Sequence, residues 1–215
     1  MNRRALGTGV KRGVDVVGAA LELVILSPIL AWTAVGALLT QGRPILFRQV
    51  RPGLHGKLFT ICKFRTMRPS RPGEVWYLND DKRLTRLGRF LRTSSLDELP
   101  ELWNVLRGDM SLVGPRPLLP EYLETYTAEE RRRHGMRPGV TGWAVVNGRN
   151  SLLFKDRLVF DIWYVEHWSL WLDAQIIART ILQVLRRQNA SITSDPSLGF
   201  PLPGRDEDRP KEQDG

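Results

Sequence analysis

The residues best placed to do chemistry lie between positions 92 and 117. Asp97 and Glu98 are adjacent, Arg92 precedes them by five residues, and Arg116 follows, set between Pro115 and Pro117. Pro100 is tolerated without penalty only in the first turn of a helix, where its missing N–H has no partner to lose. The acidic pair therefore falls near a helix N-terminus, with Asp97, Glu98 or Leu99 at the N-cap. One reading is structural: Asp is a preferred cap, Glu complements the helix dipole, and Ser95 with Glu98 has capping-box spacing. The other is chemical. A carboxylate ionised at neutral pH can attack phosphorus, take a proton or bind a metal, and nearby guanidiniums offer paired donors to phosphate oxygens.

Overall composition sets the frame for that chemistry. The chain has 215 residues, 42% hydrophobic and 26% charged, enough for one globular unit with a real core. Thirty-two Lys and Arg against 23 Asp and Glu leave a formal +9, which points to a polyanionic partner: nucleic acid, anionic lipid or phosphorylated substrate. Cys62 is the single cysteine, so no disulfide framework is possible, and it reads as a small buried apolar residue. His55, His134 and His167 have no zinc-type spacing and read as surface or packing residues. Gly53-Leu54-His55-Gly56-Lys57 lacks the Walker spacing and reads as a turn.

Of the elements that must position the acidic pair, the longest apolar one spans residues 14–39. As a helix it would extend about 39 Å, enough to cross a hydrocarbon core of about 30 Å. Ser27-Pro28 lies at its middle and predicts a bend, with Ser27 available to satisfy a freed carbonyl. Basic residues flank both ends: Arg3, Arg4, Lys11 and Arg12 before, Arg43, Arg48 and Arg51 after. Positive flanks favour the cytoplasmic side, so the segment reads either as a re-entrant helix that dips in and returns or as an ordinary span followed by a basic domain. Asp15 is expected to stay in the headgroup layer, and Glu22 to face protein or pair with a basic residue.

Beyond the membrane segment, the runs at 45–50 and 58–64 predict a strand pair, and residues 68–82 a loop. Leu84, Leu87, Phe90 and Leu91 fall at helical spacing, residues 99–106 predict a second helix, and 120–133 a third. Residues 140–146 read as a strand leading into the Asn147-Gly148 turn. Asp173 reads as the cap of a helix running to Arg187, with Ile177, Ile181, Val184 and Leu185 on one face. Trp163, Tyr164, Trp168 and Trp171 form either an interfacial belt or a buried aromatic cluster. Polar residues 189–215 read as a disordered tail. The fold class expected is α+β, mainly helical, organised as a re-entrant membrane helix over 11–40, a catalytic domain over 41–188 and the tail.

Several long motifs in fixed order carry a resemblance. The run from Ser94 to Pro117, the block from Gln41 through Phe64-Arg65-Thr66-Met67, the stretch Arg137-Pro138-Gly139-Val140-Thr141-Gly142-Trp143 with Asn147-Gly148-Arg149-Asn150, and the segment from Asp161 to Asp173 are together similar to the bacterial sugar transferases. Coverage runs from Lys11 to about Leu185. The small monotopic members of that family move a sugar 1-phosphate from a nucleoside diphosphate sugar, uridine being the usual base, to undecaprenyl phosphate. The resemblance implies that Ser27-Pro28 breaks a re-entrant helix and that Asp97 and Glu98 are the catalytic dyad. Asp97 is implied as the nucleophile that forms an aspartyl phosphosugar, and Glu98 as a ligand to Mg²⁺. Arg92, Arg116 and Arg149 match family positions associated with phosphate. Lys63 and Asp161 also fall on motif positions, Asp161 either holding the metal, orienting an Arg or serving structure alone. Val145 departs from the family pattern, which often has Gln there.

The resemblance places such an enzyme on the cytoplasmic face of the bacterial inner membrane, against anionic lipids, starting assembly of a surface glycan. The rivals are direct one-step transfer, with Asp97 as base or metal ligand, and a membrane-tethered basic scaffold or nucleic-acid-binding protein. Against the last, the basic residues surround an acidic pair, and no nucleic-acid motif is recognisable. Which sugar is carried and the oligomeric state are not legible in the sequence.

Overall fold

The computed structural model describes residues 3–69, 83–148 and 152–186. The expected tail over 189–215, Arg149 and most of the expected 68–82 loop lie outside the described residues. The architecture is mainly helical with two small two-stranded sheets.

Helix α1 (Arg3–Ile25) and helix α2 (Ser27–Gln41) meet at the expected break, bent by 63°. Neither helix alone is long and apolar enough to cross a membrane, whereas the bent pair passes that test of length and composition together. Apolar side chains are bare at the bend, where Val24 and Ile25 are each at least 70% exposed, and farther along α2, where Trp32 and Leu39 are too.

The first turns of α1 are fastened to the rest of the chain. Lys11 Nζ lies 2.6 Å from Asp173 Oδ2, and that carboxylate also accepts from Tyr164 Oη at 2.6 Å and Trp168 Nε1 at 3.0 Å. Arg12 donates to the carbonyls of Val105 and Leu106, the last turn of a later helix, where carbonyls lack intrahelical donors. Asp15 does not sit in a headgroup layer. It is 4% exposed and accepts from the Ser111 hydroxyl and the Leu112 N–H at 2.9 and 3.0 Å, because a carboxylate beside an apolar core is tolerated only when so satisfied. The protein-facing part of 11–40 thus belongs to the folded domain, and Ala19 joins its core.

Strands β1 (Leu46–Pro52) and β2 (Leu58–Phe64) form the expected antiparallel hairpin around a short 3-10 turn at Leu54–Gly56. Helix α3 (Arg86–Ser94) is capped by Thr85, whose hydroxyl accepts from Gly88 N–H. It packs closely on the β2 end: any Cβ at Gly88 would overlap the Thr66 carbonyl. Helix α4 (Glu101–Arg107) follows, buried through Leu102, Asn104 and Val105. Strands β3 (Ser111–Val113) and β4 (Gly139–Thr141) pair in parallel, and Gly114, Gly139 and Gly142 let the two backbones approach so tightly that a Cβ would collide at each.

Three expected elements differ. The helix over 120–133 is replaced by two 3-10 stretches, Pro120–Leu123 and Glu130–Gly135. A reciprocal Thr127–Glu130 box starts the second, and Arg133 is drawn into the interior. The strand over 140–146 ends at Thr141, and the next residues form the short helix α5 (Trp143–Val146), since Gly142 packs on the Gly114 carbonyl. The last helix, α7 (Leu170–Leu185), is capped by Ser169 rather than Asp173, which is buried against Lys11. Helix α6 (Phe154–His167) was not foreseen; its buried face presents Arg157, Leu158, Asp161 and Tyr164. The aromatic group divides accordingly: Tyr164 is core, Trp163 stacks on Trp143, and Trp171 is 71% exposed. Cys62 is only partly buried, donating its backbone N–H to Asn104.

Candidate active site

The acidic pair does not cap a helix. Ser95 takes a left-handed conformation that ends α3, and Leu96–Glu98 make one 3-10 turn before Pro100, itself the N-cap of α4; no side chain caps either start. Asp97 and Glu98 are thereby released from backbone duty and project among cations drawn from three other elements.

Glu98 is clamped. Its Oε1 receives Lys63 Nζ of β2 at 2.7 Å and Arg116 Nη2 at 2.8 Å. Burial alone would raise its pKa, but Arg116 and Lys63 together outweigh burial and hold the carboxyl well below the usual range. Lys63 Nζ also lies 2.8 Å from Glu101 Oε1. That contact is an ion pair off hydrogen-bond alignment, and the buried oxygen has no aligned donor. Burial and the charge of Glu98 lift Glu101 to about 7 against the pull of Lys63. Burial lowers Lys63, yet the two glutamates more than reverse this and raise its pKa.

Asp97 is different. It is 9% exposed, and among the described residues no hydrogen bond or ion pair engages its carboxylate. Burial, with Glu98 second, pushes its pKa up to about 6 despite the opposing charges of Lys63, Arg92 and Arg116. Near neutral pH this is an ionised, unshared carboxylate in a cationic setting, the condition a nucleophile or base needs. Arg92 is held by Thr66, Nε to Oγ1 at 3.1 Å, and its charge reaches Asp97.

The loop carrying Arg116 is positioned from behind. Arg133 and Asp161, each 1% exposed, form a buried pair at 2.5 Å, and Arg133 Nη2 also donates to the Arg116 carbonyl at 2.6 Å. Asp161 therefore orients an arginine and its loop; it does not join Asp97 and Glu98. Ser27-Pro28 likewise lies at the helix bend, apart from the acidic pair, whereas Lys63, Arg92 and Arg116 converge with it. Arg149 lies outside the described residues. Sequence reasoning missed Glu101 and Arg133. Glu101 carried a signal, as a third carboxylate inside the Asp97–Asn104 motif; Arg133, one of three consecutive arginines, carried none.

A small cleft of about 100 Å³ opens beside Glu98, walled by Leu99, Leu102, Val140, Val145 and Val184, with Glu22 of α1 at its edge. Glu22 is exposed at that rim and pairs with no basic residue among the described ones. His134 is buried against the Gly53 carbonyl and His167 stacks on Trp163, both packing roles.

As a magnesium site the cluster fits one form of binding only. Among the described residues no group of three or more Asp, Glu, His or Cys could cage a metal. Glu98 Oε1 is taken by its cations, while its Oε2 accepts no hydrogen bond from a described residue. Mg²⁺ commonly uses one or two carboxylates and completes its shell with water and substrate phosphates, which this donor set permits.

A family model described as bacterial sugar transferase matches residues 6–187. The chain is 49% identical over 175 residues to a protein of Bacillus subtilis named uncharacterized sugar transferase EpsL, covering 81% of this chain and 87% of that one. It is 45% identical over 190 residues to a UDP-glucose:undecaprenyl-phosphate glucose-1-phosphate transferase of Caulobacter vibrioides, covering 84% and 71%. It is 41% identical over 199 residues to an undecaprenyl-phosphate galactose phosphotransferase of Salmonella typhimurium, of whose length only 41% is matched.

Proposed function

This chain belongs to the bacterial sugar transferase family, and from that premise we propose that it moves a sugar 1-phosphate from a uridine diphosphate sugar to undecaprenyl phosphate through an aspartyl phosphosugar. The observation that carries the mechanism is the division of labour in the acidic pair: Glu98 is saturated with cations, and Asp97 is unshared.

In the first step a carboxylate oxygen of Asp97 attacks the β-phosphorus. The bond from that phosphorus to the bridging oxygen breaks, and nucleoside monophosphate leaves with the electron pair. In the second step an oxygen of the lipid phosphate attacks the same phosphorus and Asp97 departs as carboxylate, regenerating the enzyme. Lys63 and Arg116 hold Glu98 in place, and Arg116 and Arg92 supply positive charge where the transferring phosphoryl group accumulates negative charge. Glu98 Oε2 would hold Mg²⁺ jointly with the substrate phosphates; when bound, the ion neutralises and aligns the diphosphate.

Direct transfer is the second reading, because a carboxyl near 6 also suits a general base. Nucleoside monophosphate released with donor alone, in amounts matching enzyme, supports the covalent route; release that requires the lipid acceptor supports the direct one. The bent helix pair supports a re-entrant seat on the cytoplasmic leaflet, its bare apolar bend immersed and both ends returning to the folded domain. The product would be the first lipid-linked sugar of a surface glycan.

A further inference from the structure

Glu101, the first residue of α4, is the third carboxylate of the site and has no part in the steps above. It is 2% exposed, and its Oε1 lies 2.8 Å from Lys63 Nζ, the same ammonium that meets Glu98 Oε1 at 2.7 Å. Arg116 Nη2 reaches that Glu98 oxygen at 2.8 Å, so two carboxylates and two cations form one chain, in the order Glu101, Lys63, Glu98, Arg116.

The Glu101 end of the chain is fixed without help from Glu98. Asn104, on the same helix and 3% exposed, donates to the Thr60 carbonyl at 2.8 Å and accepts the Cys62 N–H at 3.2 Å. Residues three apart share a helix face, so the clip that fastens Asn104 to β2 also brings Glu101 against the strand, where Lys63 follows Cys62.

A glutamine would fill the same space without the cost of burying an ion, so packing alone does not account for a carboxylate here. The contact with Lys63 is one of charge, since the Glu101 oxygen has no aligned donor. Lys63 has a single positive charge to divide. Were position 101 neutral, that charge would fall on Glu98 along with that of Arg116, leaving one carboxylate under two cations with little attraction for a third. With Glu101 ionised, negative and positive charges balance along the chain, and Glu98 keeps charge for its Oε2.

We propose that Glu101 is a positioning residue for the transfer: by holding Lys63 and sharing its charge, it leaves Glu98 able to hold the divalent cation that accompanies the donor diphosphate. The proposal rests on the donor reading and on the assignment of Mg²⁺ to Glu98 above. Glu101 acts through Lys63 and is assigned no contact with metal or substrate.

The test uses the full chain in lipid nanodiscs at about pH 8, where Glu101, titrating at about 7, is ionised. Wild type is compared with Glu101→Gln, Glu101→Asp, Lys63→Met and the double variant of Glu101→Gln with Lys63→Met. Two quantities are read: the Mg²⁺ concentration that gives half of the thermal protection seen with uridine diphosphate present, and the Mg²⁺ concentration that half-saturates turnover. Glu101→Gln should raise both about tenfold, the size expected when one charge is removed from a half-buried ion cluster, and excess Mg²⁺ should restore much of its turnover. Glu101→Asp, which keeps the charge, should shift them less. Because Glu101 acts through Lys63, adding Glu101→Gln to Lys63→Met should move the Mg²⁺ requirement little beyond that of Lys63→Met alone. A Glu101→Gln protein that needs no more Mg²⁺ than wild type, whether or not it melts lower, would overturn the proposal, as would the same shift in the Lys63→Met background. Should Lys63→Met fail to fold, Glu101→Gln against Glu101→Asp decides the matter. Wild type that Mg²⁺ neither protects nor activates would sink the metal assignment and the proposal with it, a result distinct from protection that Glu101→Gln leaves unmoved.

Discussion

The Ser27 hydroxyl donates to the Val24 carbonyl at 2.7 Å, and that carbonyl is the one Pro28, four residues on and without an N–H, cannot reach. Ser27 thus satisfies, at the 63° bend, the acceptor that the proline strands in an apolar setting. Pro28→Leu restores the donor and removes the ring, so it should straighten the pair toward a spanning helix. In the wild type, tags at both termini should be reached only from the cytoplasmic side, and in Pro28→Leu one terminus should become accessible from the other side. A periplasmic N-terminus in the wild type would contradict the re-entrant reading.

Asp97 leads to a prediction about stability that runs against the capping interpretation. Its folded pKa is raised to about 6, so the folded protein binds this proton more tightly than the unfolded chain does. The ionised side chain therefore opposes folding, and the penalty grows from about pH 4 and is complete above about pH 6. Asp97→Asn should melt at or above the wild-type temperature at pH 7.5. A cap would predict a loss of about 1 kcal/mol on removal. Urea melts of wild type, Asp97→Asn and Asp97→Ala at two pH values distinguish the two.

Activity should follow the same titration. With Asp97 required as carboxylate, the rate of the first step should fall as pH drops through about 6 and approach a tenfold loss for each further pH unit. A profile flat from pH 7 down to 5 would exclude Asp97 as the group that must ionise.

Glu98→Gln keeps the shape of the side chain but removes the charge shared by Lys63 and Arg116. It should lose most turnover while remaining folded, and excess chelator should abolish wild-type activity. Full activity in chelator would contradict the assignment of Mg²⁺ to this site.

Much of this site was legible because its chemistry is local in sequence. Asp97, Glu98 and Pro100 lie in one motif, and a proline in the middle of an apolar run announces a bend. The helix spacing of 84–91 and the Pro52-Gly53 turn likewise survive in α3 and the hairpin. What escaped depends on contacts between distant segments. Asp15 looked like a headgroup residue because its partner Ser111 is 96 positions away, and Asp173 looked like a cap because Lys11 is 162 positions away. The expected helix over 120–133 gave way to 3-10 turns, since Arg133 bonds both Asp161 and the Arg116 carbonyl. No periodicity encodes such a bond.

The Arg133–Asp161 pair allows a sharper test of positioning. Removing one member of a buried pair strands the other, so Asp161→Ala should cost about 3–5 kcal/mol in a denaturant melt. In variants that stay folded, kcat should fall through the displaced Arg116 loop. An Asp161→Ala protein with wild-type stability would show that the pair does not hold the loop.

The central claim is that Asp97 forms a bond to the transferring phosphorus, and intact-protein mass spectrometry tests it most directly. Enzyme given a uridine diphosphate sugar and Mg²⁺ without lipid acceptor should gain the mass of one phosphosugar, located on Asp97 by peptide mapping, with a matching amount of nucleoside monophosphate released. Adding undecaprenyl phosphate should remove that mass, and Asp97→Asn should never acquire it. Near wild-type turnover in Asp97→Asn, or a label on any other residue, would contradict the account.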